Sequence, residues 1–245
     1  MPFTFSHPAA VLPLNRLSPR WVSMTGLIAG SVSPDFEYFI RMRMEGQFSH
    51  QFDALFWFCL PIGILLSFLF HHLIRDPLFH NLPQFLRARV QAFIGYDWKA
   101  RFKAHWLLSS LSILLGAFSH IFIDSFTHPD GFFVERFPDL RTLVDLGFFK
   151  MPLFALFQNA GTLIGGLIVL GVIWSLPVKN FGKGRLDLRY WILLIASSSL
   201  VWGIRMAFGL GEPFHVHLVV SMIASASIGS ILTSLFFRWA VAGES

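Results

Sequence analysis

Three ionisable residues, His120, Asp124 and His128, recur at intervals of four near the end of an apolar segment. Residues four apart lie on one face of an α-helix, so their side chains are predicted to project from a single stripe. Acidic and imidazole side chains are costly near a bilayer unless they face a partner, an ion or water. Because imidazole and carboxylate ligands without thiolate suit Zn²⁺, Mn²⁺ or Fe²⁺, the stripe predicts a divalent metal site. A hydrogen-bonded contact between helices or a proton relay is the alternative.

Further candidate ligands lie in the first 50 residues. His7 is part of Phe-Ser-His-Pro, Asp35 follows Ser-Pro, and His50 immediately precedes an apolar segment. The alternative for Asp35 is an N-cap that accepts backbone N–H bonds, and the alternative for His50 is an ordinary residue at the membrane interface. Two acids that the metal does not need, Glu37 and Asp53, are candidates for a general base. Asp53, three residues after His50, is also a candidate to orient that imidazole, with a simple acid at the start of a helix as an equal alternative.

The composition indicates the medium in which these residues act. Of the 245 residues, 54% are hydrophobic and 13% are charged, with a mean hydropathy of +0.60, whereas a soluble domain has about 25% charged residues. We therefore expect an integral membrane protein whose partner is the lipid bilayer. The net charge of +5 includes Lys and Arg that flank apolar segments, which favours a role in membrane orientation over nucleic-acid binding. The first 20 residues contain no continuous apolar run, so no cleavable signal peptide is expected.

Five apolar segments approach the roughly 20 residues needed to cross the hydrocarbon core. They are residues 54–70, 106–122, 152–178, 190–204 and 218–237. A sixth segment, residues 21–32, is too short to cross and is predicted to be a re-entrant or interfacial helix. We therefore predict an all-α, polytopic membrane bundle of about five transmembrane helices, in a single domain of residues 1–245. Residues 1–51 form its outer-face N-terminal segment, and residues 52–237 form the transmembrane bundle.

The loop charges predict an orientation in the membrane. Residues 72–104 contain six Lys or Arg and two acids, residues 179–190 contain four and one, and residues 124–151 contain three and five. Cytoplasmic loops are the ones rich in Lys and Arg, so the first two loops are predicted inside and the third outside. Alternation then places the N-terminal segment outside and the C-terminus in the cytoplasm. All six candidate ligands fall on the outer face: His7, Asp35, His50, His120, Asp124 and His128.

Several of these segments resemble a known family. The opening Met-Pro-Phe-Thr-Phe-Ser-His-Pro-Ala-Ala, the Gly-Ser-Val-Ser-Pro-Asp-Phe-Glu-Tyr that begins at Gly30, the pair Ser49-His50 and the motif Ser119-His120-xxx-Asp124 carry the resemblance. Together they resemble the uncharacterised bacterial membrane proteins of the domain-of-unknown-function family numbered 4184. The resemblance covers essentially the whole chain and implies no activity by itself.

A more distant resemblance implies chemistry. The order His, Asp, His, His-xxx-Asp is similar to that of the zinc-dependent phospholipase C and nuclease group, and of bacterial inner-membrane proteins called metal-dependent hydrolases. This resemblance implies that Asp35, His50, His120 and Asp124 hold one zinc ion. It implies that His7 joins Asp124, as a bridging ligand, at a neighbouring ion. The later His-xxx-Glu ligands of that group have no match here, although His128 could fill one role, so one metal or a pair is expected.

The function expected from these observations is a membrane-embedded, metal-dependent hydrolase of phosphoester bonds in the bacterial inner membrane. A lipid phosphate is the expected substrate because the site is predicted to open at headgroup depth. One alternative is a non-enzymatic membrane protein that carries or senses metal or protons, and another is a structural membrane subunit. The chain contains no P-loop, Rossmann glycine pattern, nucleophile elbow or His-Glu-x-x-His motif.

Overall fold

The computed structural model describes residues 3–179, 186–211 and 214–243, with side chains described as far as Phe237. In chain order the α-helices are α1 (Pro8–Val11), α2 (Met24–Val32), α3 (Phe36–Arg41), α4 (Leu60–Leu69), α5 (Arg75–Asn81), α6 (Gln84–Val90), α7 (Trp98–Ala104), α8 (Trp106–Thr127), α9 (Phe132–Arg136), α10 (Leu153–Ser175), α11 (Leu188–Ala207) and α12 (Phe214–Gly243). Two short strands, β1 (Leu143–Asp145) and β2 (Lys150–Pro152), form an antiparallel hairpin between α9 and α10.

Five helical segments within the described residues are long and apolar enough to cross a membrane. They are Leu55–Asn81, Trp106–Arg136, Leu153–Ser175, Leu188–Ala207 and Phe214–Phe237. The predicted all-α membrane bundle is therefore confirmed. The first two segments extend past the apolar runs from which they were predicted, to Asn81 and to Arg136.

The described residues group into two compact units. Unit 1 consists of Met1–Asp35, Phe48–Ile64 and His105–Trp174, and unit 2 consists of Phe36–Gln47, Leu65–Ala104 and Ser175–Ser245. The interpretation of the chain as a single domain stays a prediction.

Unit 1 is organised around close contact between α2 and α8. A Cβ atom on Gly30 would lie 2.0 Å from the carbonyl oxygen of Ile113, and one on Gly116 would lie 2.2 Å from that of Leu27. Neither position has room for a side chain, so the two backbones touch, as small residues allow between membrane helices. This contact places the last turn of α2 against the middle of α8, and His120 lies one turn beyond Gly116.

The N-terminal segment of unit 1 is held against α10. The Ser6 hydroxyl donates a hydrogen bond to the carbonyl oxygen of Thr162 at 2.9 Å, and the Phe3 N–H donates one to the Thr162 hydroxyl at 3.0 Å. A Cβ atom on Gly165 would lie 2.8 Å from the Ser6 carbonyl oxygen, so only glycine permits this approach. These contacts fix the position of His7, the next residue along the chain.

Unit 2 contains the closely packed pair α11 and α12. A core of Phe39, Val220 and Ala224 lies between α3 and α12. His217 is buried on α12, and its Nδ1 accepts a hydrogen bond from the Met44 N–H at 3.0 Å. The Ser221 hydroxyl, one turn further along, donates to the Met42 carbonyl oxygen at 2.9 Å. Polar side chains on α12 thus bind the loop that follows α3.

Candidate metal centre

Four side chains from three separate stretches of unit 1 converge on one point. Asp35 ends a 3₁₀ turn, Ser33–Asp35, directly after α2, and His50 lies in the loop before the first membrane segment. His120 and Asp124 lie one turn apart on α8. One nitrogen or oxygen atom from each of the four residues lies within 4.8 Å of those from the other three. The helical stripe predicted from the sequence is therefore joined by residues 70 to 89 positions earlier in the chain.

Four of the six distances between these ligand atoms are close to the edge lengths of a metal coordination tetrahedron. Nε2 of His50 lies 3.4 Å from Asp35 Oδ1 and 3.3 Å from Asp124 Oδ2. Nε2 of His120 lies 3.4 Å from Asp35 Oδ1 and 3.2 Å from Asp124 Oδ2. A Zn²⁺ ion bound at about 2.0–2.2 Å by four nitrogen and oxygen ligands holds them about 3.3–3.6 Å apart. These four of the six distances are close to those of such a site, and the other two are no longer than 4.8 Å.

The hydrogen bond made by His120 determines which of its nitrogens faces the acids. Its Nδ1 donates to the carbonyl oxygen of Ser31 at 2.7 Å, because a carbonyl can only accept. In the neutral ring Nε2 then has a lone pair, which points at two carboxylates that are themselves acceptors. Nε2 of His120, Oδ1 of Asp35 and both oxygens of Asp124 are buried and make no hydrogen bond within the described residues. A metal ion between these acceptors, or protons on the imidazoles, would satisfy them.

Hydroxyl groups orient the ligands from outside the group. The Thr4 hydroxyl donates to Oδ2 of Asp35 at 2.5 Å, which leaves Oδ1 facing His50 and His120. The Ser49 hydroxyl lies 3.0 Å from Nδ1 of His50. Such contacts set the orientation and basicity of metal ligands. They account for one Asp35 oxygen, and no backbone N–H bond to the other occurs within the described chain, so the N-cap interpretation of Asp35 is disfavoured.

The electrostatics of the group are those of an anionic site. Among the described residues, the ion pairs to Asp35 and Asp124 come only from histidines. Burial lowers the pKa of His7 to about 3, and the nearby His120 imidazole adds to this effect. Burial would raise the pKa of Asp35, but the imidazoles of His120 and His50 hold it well below its usual range. At His50, burial alone would lower the pKa of the imidazole. The Asp124 and Asp35 carboxylates act in the opposite direction, and the pKa of His50 is raised.

His7 lies on the opposite side of Asp124 from His50. Its ring stacks on that of His120 with centroids 3.6 Å apart, and its Nε2 lies 3.5 Å from Oδ1 of Asp124. The ring is buried, and neither nitrogen has a hydrogen-bond partner within the described chain. Each oxygen of Asp124 therefore faces imidazole nitrogen. The predicted metal role of His7 stays a prediction, since His7 is not one of the four converging residues.

His128 lies beside the four-residue group. Helix α8 ends at Thr127, and His128 has extended backbone, as expected before Pro129. The helical stripe consequently stops one residue before it. Its Nδ1 donates to the Asp124 carbonyl oxygen at 3.0 Å and lies 3.8 Å from Asp124 Oδ2. His128 is not one of the four converging residues, so its predicted metal role stays a prediction.

The two predicted catalytic acids have other partners. Glu37 is buried in unit 2, where its Oε1 accepts from Arg41 Nε and from the Gln47 N–H, both at 2.9 Å. Asp53 is exposed, and its Oδ2 accepts from the Trp57 indole N–H at 3.4 Å. Neither acid belongs to the converging group, so their predicted catalytic roles stay predictions.

Sequence reasoning missed the residues that orient the ligands. Thr4 and Ser49 were not singled out, and neither was the Ser31 carbonyl group. The available signal was their position, since Thr4 lies three residues before His7, and Ser49 immediately precedes His50. No periodicity of the chain indicates that Thr4 would meet Asp35, which is 31 residues away.

A comparison with known protein families identifies the family to which the chain belongs. A family model described as "Domain of unknown function (DUF4184)" matches residues 1–238, a stretch that includes the whole converging group. No curated protein and no solved structure matches the chain. The matched residues include the five membrane-length helices and the group of two aspartates and two histidines that could hold a metal ion. The chain belongs to the family of the domain of unknown function DUF4184.

Proposed function

We propose that the protein is a membrane-embedded, metal-dependent hydrolase of phosphoester bonds. The observation that supports this most strongly is the convergence of Asp35, His50, His120 and Asp124, with their ligand atoms 3.2–3.4 Å apart across four contacts. Two carboxylates and two neutral imidazoles give the group a charge that a divalent cation balances. Zn²⁺ is the expected ion because it accepts four nitrogen and oxygen ligands in a tetrahedron, with Mn²⁺ or Fe²⁺ as alternatives.

A bound divalent metal supplies Lewis acidity that stabilises phosphoryl charge and makes a water molecule acidic near neutral pH. The protein's own residues orient and shield the site. Thr4, Ser49 and the Ser31 carbonyl hold the ligands, and Asp35 and His120 exclude water because their side chains are fully buried. Access is expected beside His50, whose side chain is 25% exposed.

Two further assignments belong to this proposal. His7 faces Oδ1 of Asp124 while His50 and His120 face Oδ2, which is the arrangement expected if Asp124 bridges two ions. His128 is a candidate to join such a second ion through its remaining nitrogen. The general base is Glu37 or Asp53, as proposed from the sequence.

The proposed location is the outer face of the bacterial inner membrane, with the C-terminus in the cytoplasm. Support comes from the charge difference between the Lys/Arg-rich loops and the acidic residues 124–151, which follow the end of α8. Asp124 lies in the last turn of α8, at one end of a membrane-length helix. A phosphoester in a lipid headgroup would reach this depth, so a lipid phosphate is the proposed substrate.

One observation favours a second function. The group already offers four protein ligands, and three of their side chains are 5% exposed or less. Structural metal sites are closed by four protein ligands, whereas catalytic sites keep an open position. A metal that stabilises or regulates a non-enzymatic membrane protein is therefore the alternative to hydrolysis.

Reconstitution with defined metals separates the two functions. Purified protein would be stripped with chelator, reloaded with Zn²⁺, Mn²⁺ or Fe²⁺, and assayed on p-nitrophenyl phosphate, bis(p-nitrophenyl) phosphate and a short-chain phospholipid. The hydrolase proposal predicts turnover that requires metal and is lost in Asp124→Asn. Glu37→Gln or Asp53→Asn should lower kcat while metal content stays unchanged. Fully loaded protein that cleaves none of these substrates would favour the structural or regulatory metal.

A further inference from the structure

The hairpin between α9 and α10 presents an apolar tip. Residues 146–149 read Leu-Gly-Phe-Phe. Phe148 is 99% exposed, Phe149 is 54% exposed and Leu146 is 40% exposed. On soluble proteins, exposed large apolar side chains that are grouped in this way usually mark an interaction site. Nothing in unit 1 covers this tip within the described residues.

The tip is held in one conformation by its own turn. The Gly147 N–H donates to Oδ1 of Asp145 at 2.9 Å, and the Leu146 N–H donates to the Phe149 carbonyl oxygen at 3.1 Å. Gly147 has a φ of +86°, which glycine adopts without strain. Lys150 Nζ pairs with Oδ2 of Asp145 at 3.1 Å across the hairpin, where the two residues are directly opposite. The apolar side chains are thus displayed on a preformed turn.

The connection to α10 sets the depth of the hairpin. β2 ends at Pro152, and the 23-residue α10 begins at Leu153. The Leu153 N–H donates to the Thr142 carbonyl oxygen at 3.0 Å, so the base of the hairpin is bonded to the first turn of that helix. Because α10 is long enough to cross a membrane, its first turn lies at one bilayer surface. The tip can extend only a few residues from that surface.

We propose that the hairpin tip, residues 146–149, inserts into the interfacial region of the lipid bilayer. Phe148, Phe149 and Leu146 enter the boundary between headgroups and acyl chains, where apolar and aromatic side chains are favoured. Asp145 and Lys150 neutralise each other at the base of the tip and remain among the headgroups. The bilayer is the occupant that the structure favours, because the hairpin leads directly into α10, a helix long and apolar enough to cross a membrane.

This proposal does not depend on the metal site, but it concerns the same side of the membrane. Asp124 lies in the last turn of α8, and the hairpin follows that end of α8 and precedes the first turn of α10. If α8 and α10 both cross the membrane, the C-terminal end of the first and the N-terminal end of the second lie at one surface. The tip would then rest in the leaflet next to the candidate metal centre.

Depth-dependent fluorescence quenching tests this proposal. Phe148→Cys would be labelled with an environment-sensitive fluorophore and the full-length protein reconstituted into phosphatidylcholine–phosphatidylglycerol vesicles that contain a lipid with a spin label near the headgroup. The matched control is Asp139→Cys, an exposed position in the same loop. The native Cys59 is buried, so unmodified protein should take up no label. Replacement of Phe148 should not impair folding, since its side chain makes almost no contact with the protein.

Insertion predicts that the label at residue 148 is quenched several-fold more strongly than the label at residue 139 and shows a blue-shifted emission. Equal quenching at both positions would overturn the proposal. A blue shift that appears without quenching and grows with the ratio of protein to lipid would also overturn it, since it would assign the tip to contact with a second copy of the chain. Labelling of Leu146→Cys, which is 40% exposed, repeats the comparison with Phe148 in place.

Discussion

The group around Asp124 in unit 1 and the group around Arg75 in unit 2 both place ionisable side chains within membrane-length helices. In unit 2, the buried Arg75 binds Asp76 through Nε at 2.5 Å and through Nη2 at 3.1 Å. Its Nη1 lies 2.8 Å from His71 Nδ1 and donates to the Tyr96 carbonyl oxygen at 2.7 Å. This group contains one acid and one permanent cation, which balance each other.

The group in unit 1 has no such cation among its described ion pairs. Among the described residues, the ion pairs of Asp35 and Asp124 are with imidazoles only, and the buried atoms that face one another are mostly acceptors. Both groups contain aspartate and histidine at the end of an apolar run, so residue type alone does not separate them. The difference lies in whether the protein supplies the positive charge itself. Where it does not, the positive charge must come from protons or from a metal ion.

The largest expected effect distinguishes two buried histidines. His120→Ala removes one of the four proposed ligands and should weaken Zn²⁺ binding by more than about 100-fold, beyond the effect of losing an orienting contact. His217→Ala, the matched control in unit 2, removes the acceptor of the Met44 N–H and should lower the free energy of unfolding by about 1–3 kcal/mol. Zn²⁺ affinity of the control should be unchanged, as measured by competition with a chromogenic chelator. Equal Zn²⁺ affinity of both variants would show that His120 is a packing residue.

A smaller effect is expected at the hydroxyl that orients Asp35. Thr4→Val keeps the shape of the side chain but removes its donor to Asp35 Oδ2, and should weaken metal binding by about 10–100-fold. Thr4→Ser retains the hydroxyl and should bind metal nearly as well as the wild type. The same titration measures both variants. If valine and serine gave identical affinities, the hydrogen bond would have no part in holding the ligand.

The smallest effect on metal is expected in unit 2. Arg75→Met leaves Asp76 without its cation, and the free energy of unfolding should fall by about 1–3 kcal/mol because charged hydrogen bonds are lost. The Asp76 side chain is 41% exposed, so water limits the cost. Adding Asp76→Asn should recover part of the loss, which denaturation in detergent would measure as a double-mutant cycle. Metal content should stay at the wild-type value, and a loss of metal would contradict the separation of the two groups.

The part of the site that depends on helix periodicity was predictable from the sequence. His120 and Asp124 are four apart on one helix, and the spacing alone placed them on one face. The shared helical face does not extend to His128, because the helix ends at Thr127. Pro129 indicated that the helix ends near this point. The position of the His128 ring, however, depends on the backbone conformation of His128 itself.

The partners of the stripe required tertiary information. Asp35 reaches α8 because Gly30 and Gly116 allow two backbones to touch. The first membrane segment, Leu55–Asn81, is longer than its apolar run, residues 54–70. Beyond that run, Arg75 and Asp76 neutralise each other within the segment. Hydropathy counts charged residues one at a time, so it ended the segment too early. Contacts such as that of Thr4 with Asp35 follow no sequence pattern.

The measurement that tests the central claim most directly is the metal content of purified protein, determined by mass spectrometry of the wild type, Asp124→Ala and Asp53→Ala. Asp124 faces four imidazoles, whereas Asp53 is exposed and bonded to Trp57. We predict near-stoichiometric metal in the wild type and in Asp53→Ala, and none in folded Asp124→Ala. Wild-type protein that contains no metal and binds none tightly on titration with Zn²⁺, Mn²⁺ and Fe²⁺ would contradict the account. The group would then be a polar contact that joins α8 to the N-terminal segment through shared protons.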